Sequence, residues 1–127
     1  MLVTSDAPAG RNHYPHARIY DRLVYVTSQV GRDPASGELV AGGFESEFRQ
    51  ALKNVDAILR AANSSIDRLL QATVILEEES DFQAMNRIYD EMIREPWPAR
   101  TSFVAKLAGG ACCAIAVVAA KNEANQP

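Results

Sequence analysis

Between Phe44 and Ala62 apolar residues return every three or four positions, at Phe44, Phe48, Ala51, Leu52, Val55, Ile58, Leu59 and Ala62. Glu45, Glu47, Arg49, Lys53 and Asp56 fall off that stripe. This spacing predicts an amphipathic helix with one face on a core. Asn63 follows the last apolar position, where a residue tolerant of left-handed geometry ends a helix. A second stripe, Phe82, Met85, Tyr89, Met92 and Ile93, predicts another helix. Ser80 with Gln83 three positions on resembles its capping box, and Pro96 and Pro98 stop it. The remaining apolar stretches are too short for helices and are bounded by turn residues. "HARIY" and "LVYVTSQV" flank Asp21-Arg22 and predict a hairpin. "LLQATVIL" predicts a third strand, and "TSFVAKL" and "ACCAIAVVAA", separated by Gly109-Gly110, predict two more. "GRDPASGELVAGG" carries Gly and Pro at turn spacing and reads as an ordered loop. The polar tail "NEANQP" is expected to be disordered.

The order ββαβαββ predicts an α+β domain, one sheet with two helices on the same face, both βαβ crossovers being right-handed. "LVYV", "ATVIL" and "ACCAIAVVAA" are apolar at consecutive positions, as in strands covered on both sides. Two helices cover one face only, so a second copy of the same sheet is the expected cover for the other, which makes the chain a homo-oligomer. The alternative is that the last run is merely rich in alanine.

The 127 residues, 47% hydrophobic, fit a single domain spanning 1–127. A net charge of −3 and interspersed signs argue against a nucleic-acid partner. The start "MLVTSDAPAG" has neither a basic n-region nor an apolar h-region, and no apolar run reaches the ~18 residues of a membrane span. The expectation is a soluble, cytoplasmic protein without a membrane partner. Cys112 and Cys113 are adjacent and point to opposite faces of a strand, so they do not bridge each other, and they read as packing residues. "NSS" at Asn63 matches a glycosylation sequon but reads as a helix end. No metal or cofactor is expected.

Four segments in register, "SQVGRDPASGELVAGGF", "QALKNVDAILRAA", "DFQAMNRIYDE" and "PARTSFVAKL", resemble the RidA/YjgF family of reactive-intermediate deaminases, also labelled L-PSP or endoribonuclease-like. The resemblance runs from about Tyr14 to Ala120. It implies a chorismate-mutase-like (ferredoxin-like) fold and a homotrimer in which three mixed sheets make a central barrel with the helices outside. It also implies ligand clefts between neighbouring subunits.

"WPARTSF" places Arg100 just before what reads as a buried strand. A guanidinium stays charged at any usable pH and meets a carboxylate with two parallel hydrogen bonds. An arginine there is, on sequence alone, more often a surface ion-pair partner. The resemblance instead gives Arg100 the carboxylate of small 2-imino acids, which the family hydrolyses to 2-oxo acids and ammonia. It further implies Tyr14 as a catalytic, cleft-lining residue and Asn86 and Ser102 as substrate-binding positions; His16 and Ser28, which stand where the family has other residues, are candidate substrate-binding positions beside them. His16 has a pKa range suited to proton shuttling, while a lone His near a hairpin is more often structural. The family places a glutamate in the last strand, and the aligned residue here is Ala114. Imine hydrolysis calls for a group that handles protons near the water, so this departure keeps open a non-catalytic member that binds small carboxylates. Ribonuclease or translation-inhibitor activity is a third reading, which the acidic pI disfavours.

Overall fold

A computed structural model describes residues 1–9 and 14–123. Its elements follow the expected order: β1 Ala17–Tyr20, β2 Leu23–Gln29, α1 Phe44–Ala61, β3 Leu69–Leu76, α2 Phe82–Met92, β4 Ala99–Val104 and β5 Cys113–Ala120. The two-residue turn between β1 and β2 puts Asp21 at φ 55°, and Asn63 closes α1 at φ 60°. Both are positions where a short polar side chain tolerates left-handed backbone. The sheet order is β1-β2-β5-β3-β4. Every neighbouring pair is antiparallel except β3 and β4, which run parallel with α2 as their crossover. The last strand in sequence is thus the middle strand of the sheet.

Register assigns the faces. On β5, Cys113, Ile115, Val117 and Ala119 pair with Leu76, Val74, Ala72 and Leu69, and all eight are buried. They face α1 and α2, whose Phe48, Leu52, Val55, Ile58, Leu59, Met85 and Ile88 are fully buried against them. Gly31, just beyond β2, lets that loop touch α1: a Cβ there would lie 2.4 Å from the carbonyl oxygen of Glu47. The intervening positions of β5, Ala114, Ala116, Val118 and Ala120, lie on the opposite face, which neither helix covers. Tyr25 and Phe103 on that face stay 44% and 46% exposed.

Four local expectations are corrected. The Ser80–Gln83 capping box does not form: a 3-10 turn spans Glu79–Asp81, and α2 starts at Phe82 behind Asp81 with no side-chain cap. Glu47, expected on the solvent side of α1, is 9% exposed, and its Oε1 accepts the backbone N–H of Cys112 at 3.2 Å. The strand after Arg100 is not buried. It is one of the two edge strands, bonded to β3, and Arg100 lies within it. The expected disordered tail is tied at its start, where Asn122 N–H donates to the Asn63 carbonyl at 2.8 Å; residues 124–127 of that tail lie outside the described residues.

Candidate functional site

Arg100 pairs with Ala72 across the parallel ladder, which points its side chain to the helix-bearing side of the sheet. There its guanidinium carbon stands 4.8 Å from the ring centre of Tyr89 and 6.0 Å from that of Phe82. Nη1 lies 3.6 Å from the Met85 sulfur. A cation over aromatic faces is held in orientation without being neutralised. The apolar stripe of α2 therefore builds a platform for the charge, and Phe82 is left 41% exposed beside it. Tyr89 is buried, its hydroxyl has no hydrogen-bond partner among the described residues, and desolvation raises its pKa. No carboxylate lies within 4.0 Å of Arg100 among the described residues. Ser102, two positions on and on the same face, lines a groove of about 450 Å³ with Phe82, Gln83, Phe103 and Val104. Asn86 is half-buried on α2 and makes no side-chain hydrogen bond among the described residues.

Tyr14 and Ser28 gather elsewhere. With Arg32, Ile75, Gly109 and Ala114 they line an open cleft of about 440 Å³ where β2 and β3 end and β5 begins. His16 borders a smaller pocket behind it, of about 100 Å³, but its ring is 3% exposed and committed to structure. Nδ1 accepts the N–H of Thr4 at 3.0 Å, so Nε2 carries the proton and donates to the Pro8 carbonyl at 2.7 Å. His16 thus ties the first residues of the chain to β1, and Thr27 Oγ1 ties the Tyr14 segment to β2 by donating to the Pro15 carbonyl at 2.7 Å.

The two groups cannot meet within one chain. Ala72, the partner of Arg100, pairs with Val117 of β5, whereas Ala114 pairs with Ile75. Residues an odd number apart on a strand point to opposite faces, so Arg100 and Ala114 lie on opposite sides of the sheet. Among the described residues lining the Tyr14 cleft none is an acid. The cysteines add no nucleophile: burial pushes the Cys112 thiol up to about 11 and raises that of Cys113 further. Among the described residues no cluster of His, Cys, Asp and Glu could hold a metal ion, and no helix is long and apolar enough to cross a membrane.

The family model described as Endoribonuclease L-PSP matches residues 4–121. The chain belongs to that family. Within it, the protein is 38% identical over 120 residues to a human 2-iminobutanoate/2-iminopropanoate deaminase, a match covering 94% of this chain and 88% of that one. It is 40% identical over the same span to the rat protein of that name, again 94% and 88% of the two chains. Among solved structures, RidA from the Antarctic bacterium Psychrobacter superposes with a TM-score of 0.90 at 32% identity, over 94% of this chain and 97% of that one. Yeast Mmf1 superposes with a TM-score of 0.91 at 26% identity, over 95% and 97%. The RidA resemblance and the single-domain α+β fold, a mixed five-stranded sheet with two helices, therefore hold. Sequence reasoning passed over Arg32, which read as part of a loop. Its only signal was a cation in a turn whose neighbouring acid, Asp33, was already needed for the turn.

Proposed function

We propose that the protein is an enamine/imine deaminase, converting small 2-imino acids and water to 2-oxo acids and ammonia in the cytoplasm. The observation that carries this reading is 38–40% identity, over 94% of the chain, to relatives named for that reaction. Arg100 is the carboxylate anchor: it is exposed, unpaired among the described residues, and oriented by Tyr89 and Phe82. Two parallel hydrogen bonds from its guanidinium would fix the acid, with Ser102 beside it. Water then adds to the C=N carbon, a proton reaches nitrogen, and ammonia leaves as the carbonyl forms. The hydroxyls of Tyr14 and Ser28 are the polar groups available to hold that water.

Because Arg100 and the Tyr14 cleft lie on opposite faces of one sheet, a site using both is assembled from two copies. The uncovered face of β5 supplies the surface for such an assembly, a homotrimer by the family resemblance. A second reading is favoured by Ala114: without an acid in the cleft, the same trimer would bind small carboxylates and not turn them over.

Decay of 2-iminobutanoate, generated in situ, separates the two. Acceleration by the wild type and none by Arg100→Ala, with a cooperative melting transition lowered by no more than a few degrees, is the expected result. Binding of 2-oxobutanoate through Arg100 without acceleration would replace the first reading by the second.

A further inference from the structure

We infer that the cleft at the ends of β2 and β3 and the start of β5 is an anion site centred on Arg32, so that the natural ligand carries a second acidic group besides the carboxylate held by Arg100. The role of Arg100 and its pairing with the cleft of a second copy are taken from the proposed function; the Arg32 site stands on its own geometry.

Arg32 is placed by the core. Its carbonyl accepts from Asn54 Nδ2 at 2.9 Å, and the same amide reaches the Val30 carbonyl at 3.2 Å. Asn54 is 1% exposed on α1, so the loop carrying the arginine is pinned to a buried side chain. Among the described residues the guanidinium is oriented by carbonyls alone: Nη1 donates to Gly37 O at 3.0 Å and Nη2 to Gly109 O at 3.5 Å. Gly109 sits at φ +77°, and a Cβ there would come within 3.2 Å of Nη2, so this seat suits glycine on both counts. Carbonyl partners fix direction and leave the charge uncompensated. No carboxylate lies within 4.0 Å of Arg32 among the described residues. The adjacent Asp33 is occupied by its own turn, where Oδ1 accepts the N–H groups of Ala35 at 2.8 Å and Ser36 at 3.0 Å.

The rest of the cleft suits an anion. Tyr14 and Ser28 offer hydroxyl donors, and Ile75 and Ala114 form apolar walls, against which an unpaired charge acts more strongly than in water. A guanidinium has five N–H donors, of which two are used here. At Ala114 the missing glutamate acquires a meaning: an acid at that position would share the cleft with Arg32 and neutralise it. The methyl group leaves the cation free for an anion brought by the ligand. A compound bridging Arg100 of one copy and Arg32 of another is a small dicarboxylate or similarly doubly acidic molecule.

The test is calorimetric titration of the intact protein with two stable 2-oxo acids, 2-oxobutanoate with one carboxylate and 2-oxoglutarate with two. The wild type is expected to bind 2-oxoglutarate at least about tenfold more tightly, as one charged hydrogen-bonded contact would give. Arg32→Gln should erase that preference while leaving 2-oxobutanoate binding within about twofold. Ala114→Glu, which removes no contact of Arg32, should erase it too and guards against a folding defect in the first variant. Equal affinity of the wild type for the two acids, or a preference that survives both substitutions, would overturn the inference. Arg100→Ala keeps the two ideas apart. Loss of 2-oxobutanoate binding with residual Arg32-dependent binding of 2-oxoglutarate supports both, whereas undiminished 2-oxobutanoate binding removes Arg100 as the anchor and leaves the Arg32 preference to stand or fall by the other variants.

Discussion

The two faces of β5 carry similar side chains and meet different neighbours. Toward the helices, Cys113, Ile115, Val117 and Ala119 are sealed by α1 and α2; on the other side Ala116, Val118 and Ala120 leave apolar area with Tyr25 and Phe103 beside it. Apolar composition alone does not separate a core from an interface, since both are made of the same residues. What separates them is which side the crossovers of this chain cover. The same division runs through the candidate site. Arg100 sits on the helix side over aromatic rings, and the Arg32 cleft opens on the uncovered side, held by carbonyls.

The largest effects come from placing a carboxylate on either face of β5. Val117→Asp buries a charge with no partner in the helix-covered core, a loss of more than about 4 kcal/mol; no cooperative melting transition should remain by circular dichroism. Val118→Asp, one residue away, should keep the fold and its melting transition while light scattering shows the assembly dissociated. Monomers from the wild type at micromolar concentration would remove the distinction altogether.

Asn54→Ala tests the link between core and cleft. It strips two carbonyls of their buried donor, at about 1–3 kcal/mol in denaturant titration, and should also weaken 2-oxoglutarate binding by loosening Arg32. Arg100→Ala should cost the fold far less, about 0.5–1 kcal/mol for an exposed cation over a ring. Tyr89→Phe, which removes a buried hydroxyl without a partner among the described residues, should be neutral or stabilising and should keep carboxylate affinity.

The effect that is smallest at neutral pH lies at the start of β5, where a pH dependence appears only in the alkaline range. Burial raises the Cys112 thiol from 9.0 to about 11. The folded state therefore retains a proton that the unfolded state gives up. That contribution is intact below about pH 9 and is lost as pH rises through about 11. Cys112→Ala should flatten the fall in denaturation midpoint over that interval and change nothing at pH 7.

The order and type of the elements were legible in the sequence because the periods of helix and strand are local properties of a few turns or residue pairs. The helix bounds of α1, the hairpin turn at Asp21 and the strand Leu69–Leu76 all follow from such local patterns. The two-sided apolar character of the last strand was legible for the same reason; in the fold that strand is the middle one of the sheet, with the helices on one of its faces. The capping box failed because a 3-10 turn ahead of α2 left the cap position to Asp81, a choice made by the path of the chain out of β3.

The tertiary structure alone decided the rest. Glu47 is buried because the start of β5 crosses it and offers Cys112 N–H as a donor, a contact 65 residues distant in sequence. Arg100 and Ala114 lie on opposite faces because β3 pairs with both β4 and β5 in one particular register, and a shift of one residue would have put them together. Arg32 faces a cleft with no acid among its described lining residues because Gly37, Asn54 and Gly109, brought together from three separate segments, hold it there. Local patterning specifies which residues are apolar and which are charged. Only long-range pairing specifies which of them share a space, because the spacing that matters there runs across strands and not along the chain.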